Sequence, residues 1–444
     1  MANSRLVSDH IAGKNGVVIS KRPKTSGPGY RTYEVHQRER VGESTEKIKP
    51  SDLISNQYRI DPYPALETLR ENYPCYRDWL ANCYWITQYD DVTSILADEA
   101  NFETRSKLWY YGQTEFGRNL GAELPILEAY ATGFDRFMVP IAEQIVGEFV
   151  LDGRADLATQ FAARYPLELL CRVLGLTETD SGEFSKLYWR MQRGVSWDAK
   201  LSSDGTKAIS EMTALLKPVF SARKKEPKDD VISAVAGFDK EAKVEDLVVT
   251  LLEGDHQTLH GAIANLFFNL LTNEGALEQA RSDRRMLKLA YLETLRHSQP
   301  VMAIDRFARH EVERFGRLLP AGALIICSAA AANRDPRIFK KPDRFIIDRN
   351  DLCQREPRGM YRADGLASGI SYGLGRPSIH PAIPEDRPRS LYAITRDLAV
   401  GASEILLNSV KDLELVDGQV PCLDSLSLRE MRICWKLPVR FKKN

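Results

Sequence analysis

Leu289-Ala290-Tyr291-Leu292-Glu293-Thr294-Leu295-Arg296 decides the fold. Leu289, Leu292 and Leu295 recur every three residues and share one side of a helix, so Glu293 and Arg296, also three apart, share a flank and can pair. Alone, such a Glu-x-x-Arg is an ordinary surface pair. Five further patterns follow it in order: Arg306-Phe-Ala-Arg309, Leu319-Pro-Ala-Gly322, Ala332-Asn-Arg-Asp-Pro336, Pro342-Asp-Arg-Phe345 and Ser371-Tyr-Gly-Leu-Gly375. Upstream, Asp229-Asp230 and Val244-Glu-Asp-Leu247 lead into Leu251-Leu-Glu-Gly254.

Around this core the 444 residues read as mainly helical with a small β-rich side. Amphipathic periodicity predicts helices over 135–151, 157–175, 205–222, 245–273 and 390–411, and β-like patterns occupy 301–330. Hydrophobic residues make up 43% of the chain, enough for a sizeable core, yet no stretch is apolar for the ~18 residues a bilayer span needs. Sixty-one basic residues balance 61 acidic ones, so no overall field draws the chain to nucleic acid or anionic lipid. Seven cysteines without a Cys-x-x-Cys pair argue against a disulfide framework and a zinc site, and fit a reducing cytoplasm. Residues 1–50 carry ten Lys/Arg against five Asp/Glu with little apolar periodicity. Residues 1–57 are therefore expected to be a basic, disordered extension, and 58–444 the folded domain.

The ordered motif series resembles the cytochrome P450 superfamily in its soluble bacterial style. That resemblance implies a single cytochrome P450-like domain crossed by a long central helix at about 245–273. It also implies a buried structural triad in which Glu293 and Arg296 are joined by Arg344. In the family, an aromatic-Gly-x-Gly loop leads, four residues after its second glycine, to the cysteine thiolate that binds haem iron. Tyr372-Gly373-Leu374-Gly375 match that loop, but Ile379 stands at the cysteine position, with Ser378 and His380 beside it. The nearest cysteines, Cys353 and Cys422, are too distant in sequence to belong to it.

Two other parts of the family pattern are altered. Where the resemblance places partners for the haem propionates, the chain has Leu124, Glu128 and Pro377, leaving Arg306 as the cation available. Where the family places an acid and a threonine in the central helix, the chain has His256 and Gln257, within Glu253-Gly254-Asp255-His256-Gln257-Thr258. Because thiolate donation drives O–O cleavage, the expectation from sequence is that no cofactor is bound and no metal is held. If haem is bound, His380 and Arg306 are its partners.

The expected ligand is then a small apolar metabolite of terpenoid or polyketide type, held in a hydrophobic pocket. Glu253, Asp255, His256 and Gln257 are the candidate catalytic residues, with His260 on the same stripe as Glu253 and Gln257. An acid and imidazoles there could transfer protons in a redox-neutral cyclisation, isomerisation or elimination. Two alternatives stand beside this enzyme of specialised metabolism. One is a helper that activates a partner glycosyltransferase. The other is a haem-dependent monooxygenase with a non-cysteine ligand, served by a redox partner.

Overall fold

The computed structural model describes residues 10–12, 18–20, 47–113, 115–196, 198–254, 256–357, 365–374, 390–425 and 431–444. Most of the basic extension, and Ile379, Ser378, His380 and Pro377 of the altered loop, lie outside the described residues. Residues 47–57, expected in the extension, pack against the body: Ile48 and Leu53 are buried against Leu66, Leu69 and Trp85.

Among the described residues, seven helices and seven strands fix the candidate site. The helices are α1 (Leu124–Phe149), α2 (Glu178–Arg193), α3 (Ala199–Lys225), α4 (Val244–Glu253), α5 (His256–Thr272), α6 (Arg284–His297) and α7 (Leu391–Ser409). Helix α1 starts at Leu124, eleven residues before the periodicity suggested. Pro125, with its preset φ and missing N–H, opens the first turn, while Ile141, Ile145 and Phe149 bury the far end. Helices α2 and α3 pack against each other, and α1 packs against α7.

The β-rich side is a five-stranded sheet. Strands β1 (Tyr76–Asp78), β2 (Cys83–Ile86), β3 (Phe102–Glu103), β4 (Ile304–Ala308) and β5 (Leu324–Cys327) lie in the order β1-β2-β5-β4-β3. Only β2 and β5 run parallel; Arg306 of β4 sits opposite Ile325. A C-terminal hairpin of β6 (Cys422–Asp424) and β7 (Ile433–Lys436) lies against α5. Asn265 fastens that contact: its side chain donates to the carbonyls of Ser298 (2.8 Å) and Arg432 (2.9 Å) and accepts from the Cys434 amide (2.8 Å). Four residues earlier α5 passes so close to Pro300 that a Cβ at Gly261 would run into the proline ring.

The central helix differs from the expected continuous run over 245–273. It is broken: α4 stops at Glu253, Gly254 is extended (φ −64°, ψ 158°), and α5 starts at His256. The apolar periodicity does run through the gap, from Leu247 and Leu251 to Leu259 and Ile263, all buried. What interrupts the helix is a set of side-chain donors arriving from elsewhere, described below.

Candidate functional site

Helix α6 begins where Asp283 accepts from the Met286 amide (2.7 Å), and its last turns carry Glu293 and Arg296, both fully buried. Arg296 grips Glu293 with two bonds, Nε to Oε2 at 2.8 Å and Nη2 to Oε1 at 2.7 Å. Its remaining donors go to the carbonyls of Asn333, Pro342 and Arg344. The third member of the triad is Arg349 rather than Arg344. The Arg349 Nε donates to both oxygens of Glu293 at 3.1 Å and its Nη1 reaches Asp351, whereas Arg344 is exposed and gives only its main-chain oxygen. The backbone turns after Arg344, so its carbonyl faces the buried cations and its side chain faces water.

The expected catalytic cluster is divided between different neighbours. Glu253 Oε1 accepts from the Lys107 amide at 2.8 Å and from the Ser106 hydroxyl, at the start of a short 3-10 turn over Lys107–Tyr111. Lys107 Nζ in turn donates to Gln192 Oε1 (3.0 Å) and to the Gly254 carbonyl (3.3 Å). Asp255 lies outside the described residues, as does the side chain of Gln257.

His256 faces α2. Its ring centre lies 4.8 Å from that of Tyr188 and 5.6 Å from that of Trp189. Trp189 also meets Trp435 of β7 edge-on at 6.0 Å, and Trp435 meets His260 at 5.6 Å. His256 and His260 are both buried, and among the described residues neither nitrogen of His256 has a hydrogen-bond partner. Burial disfavours the imidazolium of both, pushing His256 well below the ordinary value, helped by His260 and Lys107, and His260 down to about 4. Both rings are neutral at pH 7. Tyr188, Trp189, Gln192, Lys107 and Trp435 had no local signal in the sequence; they come together only through the packing of α2, the 106–111 segment and β7.

The groups expected near a prosthetic group are also distributed. Leu124 is 52% exposed, and Glu128 is exposed too, at the open end of α1, so the acid faces solvent rather than a buried anion. Arg306, on β4, is half-buried and donates to the Asp305 carbonyl at 2.9 Å. The Asp305 carboxylate is engaged by Tyr110 (2.7 Å), and among the described residues no carboxylate lies within ion-pair distance of Arg306. Desolvation lowers the pKa of this guanidinium. Asp305 and Glu99 attract it only as longer-range charges, so its guanidinium could still take a propionate by a charge-assisted bond.

A family description, Cytochrome P450, matches residues 272–355, the span that contains the Glu293–Arg296–Arg349 assembly. Pulcherriminic acid synthase of Bacillus subtilis is 23% identical over 354 residues, covering 74% of this chain and 86% of that protein. The 6-deoxyerythronolide B hydroxylase of Saccharopolyspora erythraea is 26% identical, with coverage of 73% and 87%. The chain resembles the cytochrome P450 superfamily. Solved structures agree on the cytochrome P450 fold. CYP109Q5 from Chondromyces apiculatus superposes with a TM-score of 0.71 at 18% identity over 88% of this chain and 98% of that one. P450BioI, in complex with an acyl carrier protein bearing hexadec-9Z-enoic acid, superposes with a TM-score of 0.70 at 20% identity, over 87% and 99%.

These relatives overturn the expectation that no cofactor is bound. They are haem-binding cytochromes P450, and haem is the cofactor to expect for this chain as well. The expectation took Ile379 as a missing ligand and Leu124, Glu128 and Pro377 as missing propionate partners; of these, Leu124 and Glu128 face solvent. Among the described residues no helix is long and apolar enough to cross a membrane.

Proposed function

We propose that this chain is a haem-dependent monooxygenase of specialised metabolism whose iron ligand is not a cysteine. The observation that carries the proposal is Arg306, a half-buried guanidinium on the sheet of a cytochrome P450 fold that forms no ion pair among the described residues, Asp305 and Glu99 acting on it only as longer-range charges. Arg306 would hold a propionate by a charge-assisted bond, and the imidazole of His380 would serve as iron ligand, since Ile379 cannot and Ser378 is a poor donor. Haem, when bound, supplies oxygen activation: one atom of O2 enters the substrate and the other leaves as water, with two electrons from a redox partner and two protons. Curated relatives named as a hydroxylase of 6-deoxyerythronolide B and as an epoxidase of cyclomarin C support an apolar natural product as the substrate class.

The chain's own part is to exclude water and to keep the neighbouring imidazoles neutral. The aromatic group of Tyr188, Trp189 and Trp435 packs around His256 and His260, whose burial keeps both imidazoles neutral.

The test is the visible spectrum of protein expressed with a haem precursor. A stoichiometric Soret band is expected, with an altered band in His380→Ala and weaker haem retention in Arg306→Leu. Absence of the band from the wild type would overturn the proposal, and an unchanged spectrum in His380→Ala would remove that residue as ligand.

A further inference from the structure

The hairpin that follows β4 carries a turn residue its backbone disfavours. The two strands, Val312–Arg314 and Arg317–Leu319, pair antiparallel with Arg314 opposite Arg317, so Phe315 and Gly316 make the whole turn. Both have positive φ, 54° and 71°, the arrangement that matches the twist of a two-residue hairpin. Asparagine, aspartate and glycine enter that region easily, whereas a phenylalanine there is strained. Among the described residues the other non-glycines at positive φ are Asn82, Lys341 and Asp412, so Phe315 is the one aromatic residue held this way.

The strained residue forms part of a wall. The segment 72–75, just after the helix Tyr63–Asn72, and the turn 315–318 together line a cleft of about 440 Å³, a volume typical of small-molecule sites. Phe315 and Tyr73 supply its aromatic surface, and Tyr73 is fixed by Tyr76, which meets it edge-on at 5.3 Å. Leu318 adds an apolar side chain that is 46% exposed. Gly316 leaves its own corner open, since a Cβ there would meet nothing.

The charge around the cleft is positive. Arg317 lines it, and the five donors of a guanidinium let it serve a carboxylate beside its other partners. Lys47 is drawn to the same place by two bonds: its Nζ donates to Asn72 Oδ1 at 2.6 Å and its amide to the Tyr73 hydroxyl at 2.9 Å. Glu71, the acid next to Asn72 in sequence, is engaged by Arg70 at 3.0 Å and Arg337 at 2.6 Å. None of the lining residues belongs to the group around His256 or to the surroundings of Arg306.

We infer that this cleft is a second binding site, for a flat apolar carboxylate whose rings lie against Tyr73 and Phe315 and whose charge is met by Arg317, with Lys47 at the rim. Local strain of the kind held at Phe315 collects at binding sites, where the surrounding structure keeps a side chain presented in spite of its backbone.

The test is equilibrium binding of naphthylacetate to the full chain, followed by fluorescence anisotropy, with naphthylethanol as the neutral counterpart. Saturable binding is expected, tighter for the acid than for the alcohol. Arg317→Leu should weaken the acid by about tenfold and leave the alcohol unchanged. Phe315→Asn suits the turn, so it should keep the fold and lose both probes. Absence of saturable binding to the wild type would overturn the inference, and so would binding that survives both substitutions, which belongs to another cavity. Loss in Phe315→Asn with the acid unaffected by Arg317→Leu would overturn the carboxylate class. Should Phe315→Asn fail to fold, Arg317→Leu decides alone. The readout requires neither haem nor turnover, so it stands apart from the proposed monooxygenase.

Discussion

Glu293 and Gly254 mark two regions that solve opposite problems. Around Glu293 every charge is buried and every charge is answered, by two guanidiniums and by the Ile346 amide at 2.9 Å. Around Gly254 the backbone is interrupted, the carbonyls of Leu252 and Gly254 accept from the Gln192 side chain of α2, and a neighbouring imidazole has no partner among the described residues. The first arrangement has no cheap alternative, because losing any member strands a charge. The two differ in how completely their polar groups are satisfied, and also in depth, Glu293 being fully buried and Gly254 exposed.

The largest test of that contrast is Glu293→Gln, which keeps the shape and leaves Arg296 without a carboxylate and Arg349 with Asp351 alone. A loss of about 3–5 kcal/mol is expected in denaturant unfolding. Arg349→Met should cost a comparable amount, and a small effect there would show that the buried assembly is not held by its charges.

Protonation comes next. Burial holds His260 down to about 4, against ~6.5 in the unfolded chain, so between those values the unfolded state binds a proton that the folded state refuses. Stability is therefore full above pH 6.5 and falls as pH drops towards 4, by about 3 kcal/mol for this group. His256, shifted in the same direction, adds to the slope. His260→Phe should flatten the stability profile over that range; an unchanged profile would mean the ring is not held neutral.

Crowding at the helix gives a smaller effect. Gly261→Ala places a methyl against Pro300 and should destabilise by about 1–3 kcal/mol. A neutral result would show that α5 can slide relative to the 298–301 segment. Arg344→Met closes the series: its side chain is exposed, and a change within about 0.5 kcal/mol is expected by thermal unfolding.

These residues also show how far the sequence could be read. Glu293 and Arg296 were legible because their pairing is local, set by three-residue spacing on one helix. Arg349 was not: Arg344 and Arg349 carry the same charge five positions apart, and only the turn of the intervening backbone decides which one points inward. The helix itself was visible from its apolar repeat, but the break was not. A lone Gly254 in a periodic run does not announce a gap, and the donor that sustains it lies 62 positions away. The proposed haem partners divide in the same way: Arg306 is placed by a strand, while His380 belongs to a segment outside the described residues.

Asn265 gives the broken helix a fulcrum. Its three bonds weld the middle of α5 to the chain at Ser298 and to the C-terminal hairpin, and Gly261 lets the helix lie flush on Pro300 just ahead of that weld. From Asn265 back to His256 the helix forms an arm of about 14 Å, and a tilt of about ten degrees would carry its tip through roughly 2 Å. Small adjustments near the pivot, too slight to disturb the buried ion pairs beside it, would be magnified at the end where Trp189 and Trp435 meet.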